Sequence, residues 1–78
     1  MPLFFFHIYD DDIALDDEGI MLPDTQSAHE RAVHEARVLA SETVKKGHLV
    51  LSDRIDIKDE RGASVGTVTF GQVIDIRR

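Results

Sequence analysis

The chain opens with a largely apolar and aromatic run over residues 3–9, which only His7 interrupts and which three aspartates follow at once. A run this rich in aromatic and β-branched residues predicts a strand that is buried on at least one face. Two short apolar runs come next, at residues 13–15 and 20–22, and the acidic segment 16–19 separates them. That segment ends in glycine, which can take the positive φ of a turn or bulge. We therefore expect a second strand that ends at Pro23.

One long helix is predicted from Asp24 to Lys46. Asp24 follows a proline and is a typical N-cap, whereas Lys45, Lys46 and Gly47 form a typical helix end. His29 projects into the first turn of the apolar arc, so we expect it to be partly buried and hydrogen-bonded. At about 100° per residue, one arc of the helix collects the residues that we expect to be buried: Ala28, Ala32, Val33, Ala36, Leu39, Ala40, Thr43 and Val44.

The C-terminal third has the pattern of a hairpin. Residues 54–59 alternate between polar and apolar side chains, which is typical of a half-buried strand. Residues 60–62 supply a turn, and residues 65–70 supply the partner strand. Residues 71–74 break the alternation and predict a helical turn or a strand end. The resulting order, ββαββ, predicts one α+β domain over residues 1–78, with an antiparallel sheet and one long helix on one face.

Charge is distributed unevenly along the chain. The first thirty residues contain eight acidic side chains and no lysine or arginine, whereas the remainder contains seven acidic and nine basic residues. A net charge of −6 opposes binding to phosphate backbones, so we expect no nucleic-acid partner. The absence of cysteine excludes disulfides and thiolate metal sites. No apolar segment approaches the roughly 20 residues that cross a bilayer, and the start lacks the basic region of a signal peptide. We therefore expect a cytoplasmic protein that does not contact membranes.

Several short motifs occur together in this chain. They are Phe4-Phe5-Phe6-His7-Ile8, Asp10-Asp11-Asp12, Asp17-Glu18-Gly19, Leu22-Pro23-Asp24, an alanine-rich helix, and Asp59-Glu60-Arg61-Gly62 leading to Val68-Thr69-Phe70. In this combination the chain resembles a family of short bacterial proteins defined as domain of unknown function 6894. The resemblance covers nearly the whole chain and implies a fold but no activity. One departure is that aspartate occupies positions 11 and 12, where a glycine often follows the first aspartate.

A weaker likeness is to HicB-type antitoxins. Their N-terminal module also runs from an aromatic hairpin, through acidic and glycine turn residues and a Pro-Asp pair, into a helix. The likeness implies an inhibitor of a small basic ribonuclease. The Gln-Gly-x-Thr stretch that precedes the helix in those antitoxins is missing here.

Candidate chemistry is sparse. The His-Glu pairs at 29–30 and 34–35 place valine where the second histidine of the zinc motif His-Glu-x-x-His must stand, so we predict no zinc site. Carboxylates at residues 10–12 and 16–18 suit Ca²⁺ or Mg²⁺ by ligand type, but their spacing does not match an EF-hand. Solvated turns that protect an edge hairpin explain these carboxylates more simply. We expect no cofactor, no resident metal and no catalytic residue.

The first strand supplies the main functional hypothesis. Its alternation separates Phe5, His7 and Tyr9 from the phenylalanines at positions 4 and 6, and one helix can cover only one of these two faces. A helix of about 34 Å should also extend past strands of about 20–23 Å. We therefore expect a non-enzymatic interaction module that forms a homodimer, with the candidate interface residues Phe5, His7, Tyr9, Leu39, Thr43 and Val44. We also expect a protein partner, and the acidic first third of the chain favours a basic one. The alternatives are an acidic Ca²⁺- or Mg²⁺-binding regulatory domain and an antitoxin-like inhibitor.

Overall fold

A long helix crosses one face of an antiparallel sheet in the computed structural model, which describes residues 1–78. The sheet order is β2-β1-β4-β5, and β3 pairs with β1 beside β2. No helix of the protein is both long and apolar enough to cross a membrane. The predicted α+β class is confirmed. The elements are β1 (Leu3–Tyr9), β2 (Ile13–Ala14), β3 (Ile20–Met21), α1 (Thr25–Lys45), β4 (Arg54–Lys58), β5 (Ser64–Thr69) and α2 (Phe70–Val73).

The predicted second strand is divided into two short pieces. β2 pairs with the end of β1 and β3 pairs with its start, while residues 15–19 leave the ladder between them. The Asp16 carboxylate accepts the backbone N–H of Phe6 at 3.1 Å, so a side chain replaces the missing strand at this point. Gly19 has φ +75°, and a Cβ atom there would lie 3.0 Å from the Phe4 carbonyl oxygen. The predicted order ββαββ is therefore incomplete, because this loop interrupts the second strand and α2 follows β5.

Small side chains bring the helix close to the sheet. Four alanines of α1 are almost completely buried, and the space beside them is filled by larger residues of the strands. Phe4 and Phe6 are buried, so they form the face of β1 that meets the helix. The buried apolar core consists of Phe4, Phe6, Ala28, Ala32, Ala36, Ala40, Ile55, Ile57, Val68 and Phe70.

Two predictions about helix burial are wrong. Val44 is 56% exposed, because it lies in the last turn on the flank of the helix that the sheet does not cover. His29 is exposed and makes no side-chain hydrogen bond, since it borders an open groove between α1 and β5. Val33 and Leu39 are half-buried at the border of the core, as their positions in the arc predict.

Both predicted helix caps are confirmed, and the helix begins and ends one residue inside the predicted range. The Asp24 carboxylate accepts the backbone N–H of Ser27 at 2.8 Å, and this hydrogen bond lowers the pKa of Asp24. At the other end, Gly47 has φ +99°. The N–H groups of Gly47 and His48 donate to the carbonyls of Val44 and Thr43, which is the Schellman arrangement.

The C-terminal hairpin differs from a regular ladder at one position. A bulge opposite Ile57 and Lys58 turns Val65 toward the core, where it packs beside the buried residues. The strand then passes directly into α2, whose N-cap Thr69 forms a capping box with Gln72. The Gln72 side chain accepts the Thr69 N–H, so this backbone group at the end of the edge strand β5 is not free to pair with another strand.

Candidate functional site

No helix or strand of the chain packs on the face of the sheet opposite α1, which is called the open face below. Strand alternation places Phe4 and Phe6 under the helix and therefore turns Phe5, His7 and Tyr9 outward. The shortest dimension of the Cα trace is 16 Å, which leaves room for one sheet and one helix layer only. The open face is thus the one large surface of regular structure that has no second layer.

One half of the open face is apolar. Residues that are paired across antiparallel strands point to the same side, so Ile13 lies beside Tyr9, and Met21 lies beside Leu3. Ile13 is 69% exposed and Met21 is 53% exposed. Together with Phe5, these side chains form a stripe along β1 and its two short partner strands. One half of the open face therefore presents a row of apolar side chains, two of which are more than half exposed.

The other half of the open face is charged and follows β4. Arg54 stacks on the Tyr9 ring, with its guanidinium carbon 4.3 Å from the ring centre. Its Nε donates to Asp56 at 3.2 Å, and the Thr67 hydroxyl donates to the same carboxylate oxygen at 3.1 Å. Lys58 belongs to none of the ion pairs of the protein. In the charged half, Lys58 therefore has no ionic partner, and the neighbouring Asp56 carboxylate accepts hydrogen bonds at only one of its two oxygens.

Asp16 fixes the loop beside the open face. Its carboxylate accepts the N–H groups of Phe6, Glu18 and Gly19, and its own N–H donates to Nδ1 of His7 at 3.0 Å. Burial by itself raises the pKa of Asp16, but the three amide donors and the nearby His7 outweigh burial, so the pKa is lowered. Because Nδ1 of His7 accepts a hydrogen bond, the neutral imidazole carries its proton on Nε2.

A second cluster of ionisable groups lies beyond the C-terminus of α1. Nε2 of His48 is 2.9 Å from both carboxylate oxygens of Asp11. Burial raises the pKa of Asp53, and the charges of Asp10 and Asp11 raise it further. No group of three or more His, Cys, Asp or Glu side chains in the chain has the arrangement of a metal site. The Asp16 carboxylate is occupied by backbone amides.

The structure separates the predicted interface residues into two groups. Phe5, His7 and Tyr9 lie together on the open face. Thr43 is only 2% exposed, and its hydroxyl donates to the Ala40 carbonyl, so it is not available for an interface. Leu39 packs half-buried against the core, and Val44 is exposed on the flank of the last helical turn. The helix residues therefore do not extend the surface that β1 provides.

The sequence analysis missed the charged half of the site and two of its apolar residues. The alternation of β4 places Arg54, Asp56 and Lys58 on one face, and this signal was available in the sequence. The pairing of β4 with β1, which brings Asp56 beside His7, does not follow from the alternation of either strand. Ile13 and Met21 were also missed, because their position depends on how the second strand divides.

A scan against protein-family models finds one family, domain of unknown function 6894, over residues 3–71. No curated protein and no solved structure matches the chain. These comparisons give no support to the likeness to HicB-type antitoxins. The match extends from the first strand to the start of α2 and includes every residue of the open face. By this match the chain belongs to the family of domain of unknown function 6894.

Proposed function

We propose that the protein is a non-enzymatic, cytoplasmic interaction module that forms a symmetric homodimer through its open face. The observation that carries the proposal is the uncovered stripe along β1, where Phe5 and Tyr9 are half-buried and Ile13 and Met21 are largely exposed. Burying apolar side chains of this size in a second copy removes them from water. The absence of cysteine fits a reducing compartment.

A second copy fits this surface better than a basic partner does. The open face carries both signs of charge, with Arg54 and Lys58 flanking Asp56 on β4. A surface with an apolar half and a mixed charged half can complement itself, and two-fold pairing is the commonest closed assembly. The acidic residues at positions 10–12 lie in the turn between β1 and β2, at the border of the open face. A strongly basic partner would be attracted electrostatically to that border only, and not to the rest of the open face.

The size of the open face sets the expected strength of association. Strands of about 20 Å and four neighbouring strands about 4.8 Å apart give a face of roughly 400 Å². A face-to-face dimer would then bury about 800 Å² or somewhat more in total, which is below the range of stable specific interfaces and fits a weak, transient one. We therefore expect reversible association that depends on protein concentration.

Sedimentation velocity across a concentration series up to tens of micromolar tests the proposal. The wild-type protein should approach the mass of a dimer, and Phe5→Glu or Ile13→Glu should shift it to the monomer. Val38→Glu is the matched control, because Val38 is also an exposed apolar residue, at 39%, but lies on α1. A monomeric wild-type protein, or a dimer that both open-face variants leave intact, would contradict the proposal.

No observation favours the two alternative functions. A calcium or magnesium domain needs several converging oxygen ligands, and the carboxylates of the acidic segment do not converge in this way. An antitoxin-like inhibitor was proposed from a likeness that no comparison supports.

A further inference from the structure

Side chains on the open face form four rows across the strands, because paired residues of antiparallel strands share a face. The two outer rows are largely apolar. Leu3 and Met21 form the row at one end, and Tyr9 and Ile13 form the row at the other end. Arg54 also belongs to the Tyr9 row, where it is already stacked on that ring and bonded to Asp56.

The two inner rows carry opposite charges. One contains Phe5 and Lys58, and the next contains His7 and Asp56. The Lys58 ammonium has no carboxylate partner within the protomer. Asp56 uses Oδ1 for both of its hydrogen bonds, so Oδ2 is left free. A free cation and a free carboxylate oxygen thus lie in neighbouring rows of one surface.

We propose that the two-fold axis of the dimer crosses the strands between these two inner rows, an inference that rests on the proposed function. This axis places Lys58 of each protomer over the partner's Asp56, and Phe5 over the partner's His7. The same operation places the Leu3 row over the partner's Tyr9 row, so apolar side chains meet apolar side chains. Each protomer supplies the ionic partner that the other lacks.

Other positions of the axis are less favourable. An axis through the His7 row would stack Asp56 on its own copy, and an axis through the Phe5 row would do the same to Lys58. Both place like charges together, which disfavours association. An axis along the strands between β1 and β4 would lay the apolar half of one protomer on the charged half of the other. Packed sheets cross at about 30°. This rotation of one sheet over the other shifts facing residues least at the centre of the interface, where the inner rows lie.

Exchange of the two charges tests the position of the axis. Asp56→Lys leaves only cations among the charged residues of β4, and Lys58→Glu places two anions in the inner rows. Each variant alone should bind itself at least tenfold more weakly than the wild type does. In an equimolar mixture one ionic pair keeps its original sign and the other is restored with reversed sign, so the mass should return to that of a dimer. The measurement is sedimentation velocity, with circular dichroism to establish that each variant is folded.

A wild-type dimer together with a mixture that stays monomeric would overturn the position of the axis while leaving the proposed dimer intact. A monomeric wild-type protein would overturn both. Asp56→Lys also removes the hydrogen bonds to Arg54 and Thr67, which could weaken the protein for a reason unrelated to the axis. A second measurement therefore uses variants at other positions. The chain has no cysteine, so Phe5→Cys mixed with His7→Cys should be joined by a short bis-maleimide, and far more than either variant alone. Equal yields in the mixture and in the separate variants would contradict the inference.

Discussion

At the scale of single residues, Asp16 does the most to shape the edge of the sheet. Its carboxylate occupies the gap between β2 and β3 and accepts three backbone amides, of which the Phe6 amide lies in the middle of β1. The N–H of Asp16 simultaneously holds Nδ1 of His7. One side chain therefore completes the hydrogen bonding of the edge strand and orients a residue of the open face.

Replacement of Asp16 by alanine should lower the free energy of unfolding by about 2–3 kcal/mol, because hydrogen bonds to a charged group are lost and the Phe6 amide loses its partner. Asp17→Ala is the control, since Asp17 is exposed and makes no side-chain hydrogen bond. Urea denaturation at neutral pH measures both variants. Equal effects of the two substitutions would contradict the role assigned to Asp16.

The lowered pKa of Asp16 gives this prediction a pH dependence. A carboxylate whose pKa is lower in the folded protein contributes stability above its unfolded pKa of about 3.9, and this contribution is lost as pH falls through the folded pKa. The difference between the wild type and Asp16→Ala should therefore be largest at neutral pH and shrink in strong acid. A difference that grows on acidification would contradict the assignment.

At the scale of elements, β1 has two faces with different roles. Phe4 and Phe6 pack under the alanines of α1, whereas Phe5 lies on the open face. The helix is held in place by its caps and by the small side chains that let it approach the strands. One face of β1 therefore contributes to the core, and the other is the face to which the proposed dimer assigns association.

Phe6→Ala should cost about 3–5 kcal/mol, because it removes a buried aromatic ring and leaves a cavity in a small core. Phe5→Ala should cost much less, since Phe5 is only half-buried in the monomer. Thermal melts at a concentration low enough to keep the protein monomeric compare the two variants. A larger loss for Phe5→Ala would mean that the faces of β1 are assigned in reverse.

At the scale of the whole molecule, the proposed dimer contains His7 near its centre. His7 faces Asp56 on β4, lies diagonal to Arg54 and Lys58 on the same strand, and is bonded to the Asp16 amide on its other side. The loop that contains Asp16 therefore orients an imidazole of the proposed interface.

Elements that follow local rules could be predicted from the order of the amino acids. The caps at Asp24 and Gly47, the alanine face of α1 and the turns at Gly19 and Gly62 follow from backbone conformation and helical spacing, so they could be predicted and are confirmed. The alternation of β1 also fixed which residues share a face. These features depend on neighbours within a few positions of the chain.

Features that depend on distant contacts could not be predicted in this way and are known from the fold. The second strand is broken because the Asp16 carboxylate competes with a strand for the Phe6 amide. Val44 is exposed because the sheet does not cover that flank of the helix. The pairing of Asp56 with His7 places the charged half of the open face beside the apolar half. Strand register is set by side chains far apart in the sequence, and alternation alone does not specify it.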